Sequence, residues 1–164
     1  MLIYAMSYEA AHNFVNGNPV ISIQDHGYEE SYKFNSKHVL PLVFDDVTVY
    51  TVKVGLIHDF YKKAYNHREP IYFSGNMARK AIEFTEKFKD IKDKSLIVHC
   101  WAGYSRSTAL AFCLNQIFNL LKDYNPKDFN ASLDKILHER AMPNPDVIRV
   151  TMQTYLKTQQ NLKP

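Results

Sequence analysis

The sequence predicts an α/β domain in which helices flank a central, mostly parallel β-sheet. Short apolar runs rich in β-branched residues alternate along the chain with longer stretches whose apolar residues recur at helical spacing. This alternation is typical of parallel sheets, because two parallel strands need a crossover connection that is usually a helix. Residues 106–121 are apolar on nearly every side, as expected of a helix buried among other elements.

The predicted elements form a single domain that spans residues 1–164. We predict strands at residues 1–6, 20–23, 38–44 and 96–98, and helices at residues 8–15, 76–89, 106–121, 126–141 and 145–157. Three helices begin after a residue whose side chain can accept hydrogen bonds from first-turn N–H groups, namely Ser7, Ser74 and Asn144. Residues 47–70 are predicted to be an insertion, and the polar residues 158–164 a frayed tail.

Composition and charge limit the classes of partner. With 164 residues, 46% hydrophobic and 23% charged, the chain has the make-up of an ordinary globular domain. The net charge of +3 is too small to indicate nucleic-acid binding, but it suits an anionic substrate. Two cysteines without a disulfide framework predict a reducing compartment, and we expect a cytoplasmic protein. No apolar run has the length of a membrane span, so no membrane partner is expected.

The segment that joins the central strand to the buried helix carries the candidate chemistry. The apolar strand ends at His99 and Cys100, a five-residue loop follows, and Arg106 and Ser107 open the helix. A loop that enters a helix N-terminus directs several backbone N–H groups into one concavity, where the helix dipole adds positive potential. This potential favours an anion, and it favours the thiolate of Cys100, which is the nucleophilic form of cysteine. Arg106 adds a bidentate donor suited to phosphate oxygens.

The pattern His-Cys-x-Ala-Gly-x-Ser-Arg-Ser at residues 99–107 resembles the signature of the cysteine-dependent protein tyrosine phosphatase superfamily. It is most similar to the dual-specificity branch and that branch's small microbial relatives. The resemblance implies Cys100 as nucleophile, Arg106 as phosphate ligand and Ser107 as the hydroxyl that eases departure of the thiolate. It also implies that the loop itself binds the substrate, through Trp101, Ala102, Gly103, Tyr104, Ser105 and Arg106.

The same resemblance implies a reaction and a substrate class. We expect hydrolysis of phosphomonoesters in proteins through a cysteinyl-phosphate intermediate. Phosphotyrosine is the expected substrate, with dual specificity, which adds phosphoserine or phosphothreonine, as the alternative. Phosphate, vanadate or sulfate should bind in the loop. Phosphoinositide phosphatases of the superfamily tend to have basic residues among the five loop positions, whereas Trp-Ala-Gly-Tyr-Ser has none. The loop therefore favours a protein substrate.

A second catalytic group must protonate the leaving oxygen, which typically contributes about 10²–10⁴-fold in rate. The resembling family uses an aspartate on a loop that follows an upstream strand. Asp46, after the strand at residues 38–44, best matches that position. Asp45, one residue away, is the near alternative. Asp59 is a third candidate, because it lies within the insertion that makes the spacing from Asp46 to Cys100 longer than is usual in small dual-specificity members.

Other residues of the sequence carry separate expectations. The seven histidines are scattered, without the short paired spacing of a zinc site, so we expect no metal and no cofactor. Cys113 lies on the buried helix and is expected in the core, with a resolving thiol as the alternative. Trp101 is expected either at the exposed site or packed beneath the loop. Two other function classes are a non-catalytic phosphoprotein-binding module and a rhodanese-like sulfurtransferase, whose cysteine-to-arginine spacing is usually shorter.

Overall fold

A computed structural model of the chain describes residues 1–27, 33–48, 69–91, 93–120 and 141–161. The predicted helix at residues 126–141 lies outside the described residues, apart from its last position. The insertion predicted at residues 47–70 is described only at its two ends, and Asp59 also lies outside the described residues.

Four parallel strands form the sheet and confirm the predicted α/β class. They are β1 (Leu2–Ser7), β2 (Val20–Gln24), β3 (Val39–Val43) and β4 (Ser95–Cys100), in the order β1-β4-β2-β3. Each strand differs from its predicted bounds by one or two residues. The register pairs Ser7 with Cys100 and Ser22 with His99. The carboxyl ends of β1, β4 and β2 therefore meet at one edge of the sheet, where ligands bind in open α/β sheets.

Four α-helices are described: α1 (Tyr8–Phe14), α2 (Gly75–Phe88), α3 (Arg106–Asn115) and α4 (Pro145–Gln160). All three predicted N-caps are confirmed, since Ser7 Oγ accepts from Ala10 N, Ser74 Oγ from Met77 N, and Asn144 Oδ1 from Val147 N. The predicted helix at residues 106–121 is α-helical only to Asn115, where a π-helical segment, Gln116–Leu120, follows. Helix α4 runs three residues beyond its predicted end, to Gln160.

Helices cover both faces of the sheet and fix β4 between them. On one face, α3 packs against β1, β4 and α4, and its Leu110 and Leu114 are buried with Leu96 and Val98 of β4. On the other face, a smaller cluster forms beneath α1 from Ala11, Val15, Val20 and Ile97. Burial of each such aliphatic side chain contributes roughly 1.5–3 kcal/mol. The end of β4, which carries Cys100, is therefore held from both sides.

Cys113 is fully buried on α3, as predicted for a core residue. Its Sγ lies 3.9 Å from the carbonyl oxygen of Ile148. Within the described ranges, no helix is long and apolar enough to cross a membrane.

Candidate active site

The loop between β4 and α3 rests on the junction of β1 and α1. Tyr8 N donates to the carbonyl oxygen of Trp101 over 3.1 Å. Gly103 has φ +81°, in the left-handed region that favours glycine. A Cβ at this position would lie 2.5 Å from Ser7 N and 2.8 Å from the carbonyl carbon of Met6. Only glycine therefore lets the loop approach the junction this closely.

The Cys100 thiol lies at the end of β4, where this loop begins, and is a free cysteine. Gly103 N–H donates to Cys100 Sγ over 3.3 Å, and Ser107 Oγ lies 3.2 Å from the same sulfur. Thr108 Oγ1 donates to the carbonyl oxygen of Gly103 over 2.8 Å and so holds the peptide in place. The Ser107 hydroxyl also lies 3.5 Å from the carbonyl oxygen of Met6. It can turn from that weak contact and donate to a thiolate at Cys100.

The N-terminus of α3 is open to an anion. Ser105 occupies the N-cap position, but its side chain makes no capping hydrogen bond, and the first turn contains no acidic residue. Instead, Ser105 Oγ donates to Asp46 Oδ1 over 2.8 Å. The first-turn N–H groups are therefore not capped by the Ser105 side chain and, with the helix dipole, form a site suited to phosphate.

Arg106 lies at the same place and is only 4% exposed. Its Nη1 donates to Asp25 Oδ1 over 2.7 Å and to the carbonyl oxygen of Phe44 over 2.8 Å. The Phe44 ring lies beneath the guanidinium, 5.9 Å from Cζ to the ring centroid. Buried Nε has no hydrogen-bond partner among the described residues and is 3.9 Å from Asp46 Oδ2.

The surroundings keep Arg106 charged. Burial lowers its pKa, but the hydrogen bond and charge of Asp25, and the charges of Asp46 and Cys100, outweigh that effect and raise the pKa overall. A buried, charged guanidinium with a free donor has strong affinity for an oxyanion. The arrangement therefore offers Nε to a ligand while Asp25 holds the opposite side of the group.

Sequence reasoning did not identify Asp25 as a residue of the site. A signal was available, because Asp25 directly follows β2 and β2 is the neighbour of β4. Residues that follow adjacent parallel strands meet at one edge of the sheet. The partner of Arg106 could have been sought there.

The two adjacent aspartates, Asp45 and Asp46, make different contacts. Asp45 is 2% exposed and accepts from Ile71 N over 2.8 Å and from His26 N over 3.4 Å. It ties the end of β3 to the segment that precedes α2. Asp46 faces the loop instead, where it meets Ser105 and Arg106 at the distances given above. Of the two, only Asp46 lies beside the predicted phosphate site.

Asn144 is a second residue whose place at the site was not predicted. The sequence assigned it only the N-cap of α4, and its Oδ1 does accept from Asp146 N and Val147 N over 3.0 and 3.2 Å. Its Nδ2, however, donates to Asp46 Oδ1 over 3.0 Å and to the carbonyl oxygen of Val47 over 3.3 Å. No local sequence pattern indicates this second contact, because it joins segments about 100 residues apart.

His99 is fully buried behind the loop. Its Nε2 lies 2.8 Å from Ser22 Oγ, which also accepts from Gln24 Nε2 over 3.1 Å. The pKa of His99 is lowered from 6.5 to about 4. Burial is the largest cause, a hydrogen bond at the Cys100 backbone opposes it, and the charge of Arg106 adds to it. His99 is therefore neutral at pH 7 and packs as part of the wall behind the loop.

Two aromatic side chains of the loop face solvent. Trp101 and Tyr104 are each 64% exposed. Trp101 also stacks on Tyr8, with ring centroids 6.3 Å apart and planes 4° from parallel. Of the two predicted placements, Trp101 adopts the exposed one, with one ring face covered by Tyr8. Ala102 is exposed as well.

Within the part of the chain that the structure describes, no three His, Cys, Asp or Glu side chains are grouped so that they could hold a metal ion. No protein-family model matches the sequence, and no curated protein matches it either.

Solved structures share the fold at low sequence identity. Human tyrosine phosphatase-like serine/threonine/tyrosine-interacting protein matches with a TM-score of 0.61 and 15% identity, over 96% of this chain and 93% of that one. Human DUSP28 gives 0.58 and 10%, over 97% and 94%. PTPMT1 in complex with PI(5)P gives 0.57 and 13%, over 99% and 95%. The chain therefore has a dual-specificity phosphatase-like fold, as the motif at residues 99–107 predicted.

Proposed function

We propose that this protein is a phosphatase that hydrolyses phosphomonoesters through a cysteinyl-phosphate intermediate. Its substrates are phosphorylated proteins, with phosphotyrosine the main target and phosphoserine or phosphothreonine also accepted. One observation carries the proposal: a single loop brings together the Cys100 thiol, the uncapped N-terminus of α3 and the free Nε of Arg106. These are a nucleophile and two kinds of oxyanion donor at one point.

In the first step, the Cys100 thiolate attacks phosphorus in line with the leaving oxygen. Arg106 and the backbone N–H groups of residues 101–106 bind the three equatorial phosphoryl oxygens. The S–P bond forms as the bond from phosphorus to the leaving oxygen breaks. Asp46 donates its proton to that oxygen, so the alcohol or phenol departs neutral.

In the second step, water attacks phosphorus and Asp46 takes its proton. The S–P bond breaks and releases inorganic phosphate and the Cys100 thiolate. Ser107 Oγ, 3.2 Å from the sulfur, donates to the thiolate and makes it a better leaving group. The enzyme then returns to its starting charge state.

The loop favours a phosphorylated protein over a phosphoinositide. The fold alone leaves both open, since one structural neighbour was crystallised with PI(5)P and another is named a serine/threonine/tyrosine-interacting protein. The five positions from Trp101 to Ser105 contain no basic residue to bind the further phosphates of an inositol ring. The exposed rings of Trp101 and Tyr104 instead offer stacking surfaces to an aromatic substrate residue.

The test compares two cysteine variants on p-nitrophenyl phosphate and on phosphotyrosine, phosphoserine and phosphothreonine peptides. Cys100→Ser should lower kcat by at least about 10³-fold while substrate still binds, because only the binding contributions survive loss of the nucleophile. Cys113→Ser, the matched control in the buried part of α3, should keep wild-type rates.

Three results would contradict the proposal. Wild-type turnover by Cys100→Ser would remove the nucleophile assignment. Binding of phosphopeptides with no turnover by the wild-type protein would indicate a binding module. Thiosulfate sulfurtransferase activity without phosphatase activity would indicate a rhodanese-like enzyme.

A further inference from the structure

We propose that Asn144 is a positioning residue that holds the carboxyl group of Asp46 so that Oδ2, and not Oδ1, carries the transferred proton. This inference rests on the proposed phosphatase function, in which Asp46 is the general acid. It gives the start of α4, which is far from the loop in sequence, a role in the protonation of the leaving group.

The two oxygens of Asp46 have different surroundings. Oδ1 accepts from Asn144 Nδ2 over 3.0 Å and from Ser105 Oγ over 2.8 Å. Two donors on one carboxyl oxygen occupy both of its lone-pair directions. A proton on the carboxyl group is therefore placed on Oδ2. Because both donors are fixed, the carboxyl group cannot rotate to exchange its oxygens without losing two hydrogen bonds.

Oδ2 faces the side on which the phosphate is expected. It lies 3.9 Å from Arg106 Nε, the buried donor that has no partner among the described residues. A phosphoryl oxygen bound at Nε would bring the leaving oxygen of the same phosphate close to Oδ2. Transfer of a proton needs this closeness, because the acid must lie within hydrogen-bond reach of the oxygen that it protonates.

Asparagine is suited to this position because its amide group has both a donor and an acceptor. The Oδ1 acceptor caps α4 at Asp146 N and Val147 N, while the Nδ2 donor reaches Asp46 and Val47 O. The backbone N–H of Asn144 also donates to the carbonyl oxygen of Ser105 over 3.3 Å. One buried residue thus joins α4 to the loop and to the acid.

The two roles of Asn144 can be separated by substitution. Asn144→Asp retains a capping acceptor, so α4 should stay intact, but it replaces the donor near Asp46 with a carboxylate. Asn144→Ser also retains a capping oxygen, with a side chain too short to reach Asp46 and with no added charge. Asn115→Ser is the matched control, since Asn115 Nδ2 donates to Ile3 O over 3.2 Å away from the site.

The readout is the dependence of rate on the leaving group. Phenyl phosphate needs a proton from the acid, whereas 2,4-dinitrophenyl phosphate expels a stable phenolate without one. Both Asn144 variants should lose at least about tenfold in kcat on phenyl phosphate, as part of the roughly 10²–10⁴-fold that the acid supplies. On 2,4-dinitrophenyl phosphate they should stay within about threefold of wild type. Asp46→Ala should show the same selectivity more strongly, and Asn115→Ser should show none.

Failure of this inference can be told from failure of the proposed function. If the wild-type protein hydrolyses neither ester, the phosphatase proposal fails and Asn144 has no such role. If Asp46→Ala is selective but both Asn144 variants behave as wild type, only the role of Asn144 is overturned. Equal losses on both esters would show that Asn144 has a purely structural role, which also overturns the inference. An unselective Asp46→Ala in an active enzyme would place the acid elsewhere and remove its basis.

Discussion

Replacement of Gly103 by alanine tests whether the loop is held by its close approach to the β1–α1 junction. The added Cβ would lie 2.5 Å from Ser7 N and 2.8 Å from the carbonyl carbon of Met6, while ordinary van der Waals contact begins at 3.4 Å. The atoms it meets belong to the backbone at the end of β1 and cannot rotate away. Either the loop or the junction must therefore move by about 0.9 Å.

The cost has two sources. A non-glycine residue at φ +81° loses roughly 1–2 kcal/mol in the left-handed region. Insertion of a methyl group into a packed contact adds about 1–3 kcal/mol. The free energy of unfolding should fall by about 2–5 kcal/mol, which for a domain of this size lowers Tm by roughly 5–15 °C.

Activity should fall further than stability explains. Gly103 N–H donates to Cys100 Sγ over 3.3 Å, and a shift of the loop breaks this contact. A misplacement of about 1 Å in a catalytic group can cost about 10²-fold in rate. Thermal melting and kcat/KM on p-nitrophenyl phosphate, measured well below the lowered Tm, check both effects.

Gly75→Ala is the matched control, because Gly75 has no positive φ and its added Cβ would lie 3.4 Å from Thr154 Oγ1, at an ordinary contact distance. At the first position of α2, alanine should change the unfolding free energy by less than about 1 kcal/mol and leave kcat/KM unchanged. Wild-type melting and wild-type turnover in Gly103→Ala would refute the close approach on which the loop geometry depends.

Two further predictions concern the walls of the site. Asp25→Asn keeps the shape of the Arg106 partner but removes its charge, so the free energy of unfolding should fall by about 1–3 kcal/mol in urea titrations; no change would mean that the pair does not form in solution. His99 has its folded-state pKa lowered from 6.5 to about 4 by burial. As the pH falls, the imidazole of His99 is therefore protonated in the unfolded chain before it is protonated in the folded one. The contribution of neutral His99 to the free energy of unfolding is fully present above pH 6.5, and about 3 kcal/mol of it is lost between pH 6.5 and 4. Urea titrations across that range should show this slope in the wild type and a reduced one in His99→Gln, and equal slopes would contradict a buried neutral His99.

Local sequence signals predicted the start of a helix correctly where a single capping side chain determines it. Ser7, Ser74 and Asn144 are side-chain acceptors directly before apolar periodic stretches, and all three cap helices. The continuous α-helix predicted to residue 121 was wrong beyond Asn115, where the backbone becomes π-helical. Apolar residues on every side predict burial but do not specify which carbonyl each N–H will meet.

The candidate site also contains residues that local sequence predicts and residues that it does not. Residues 99–107 are consecutive, so one pattern predicted the thiol, the loop and the guanidinium together. Asp45 and Asp46 are adjacent residues of the same type, and the family resemblance favoured Asp46 by position while it left Asp45 as an alternative. Only the contacts of Asp45 with Ile71 N, and of Asp46 with Ser105 and Asn144, separate a structural carboxylate from one that faces the loop.

The sequence by itself determined the α/β fold class, the capped helices and the strand–loop–helix segment around Cys100. Each of these depends on residues within a few positions of one another, where periodicity, caps and the glycine conformation act directly. Tertiary structure alone decided that Asp25 holds Arg106, that Asp46 rather than Asp45 faces the loop, and that Asn144 joins α4 to Asp46. Those contacts join residues 59–98 positions apart along the chain, and they form only when the ends of the strands are brought to one edge of the sheet.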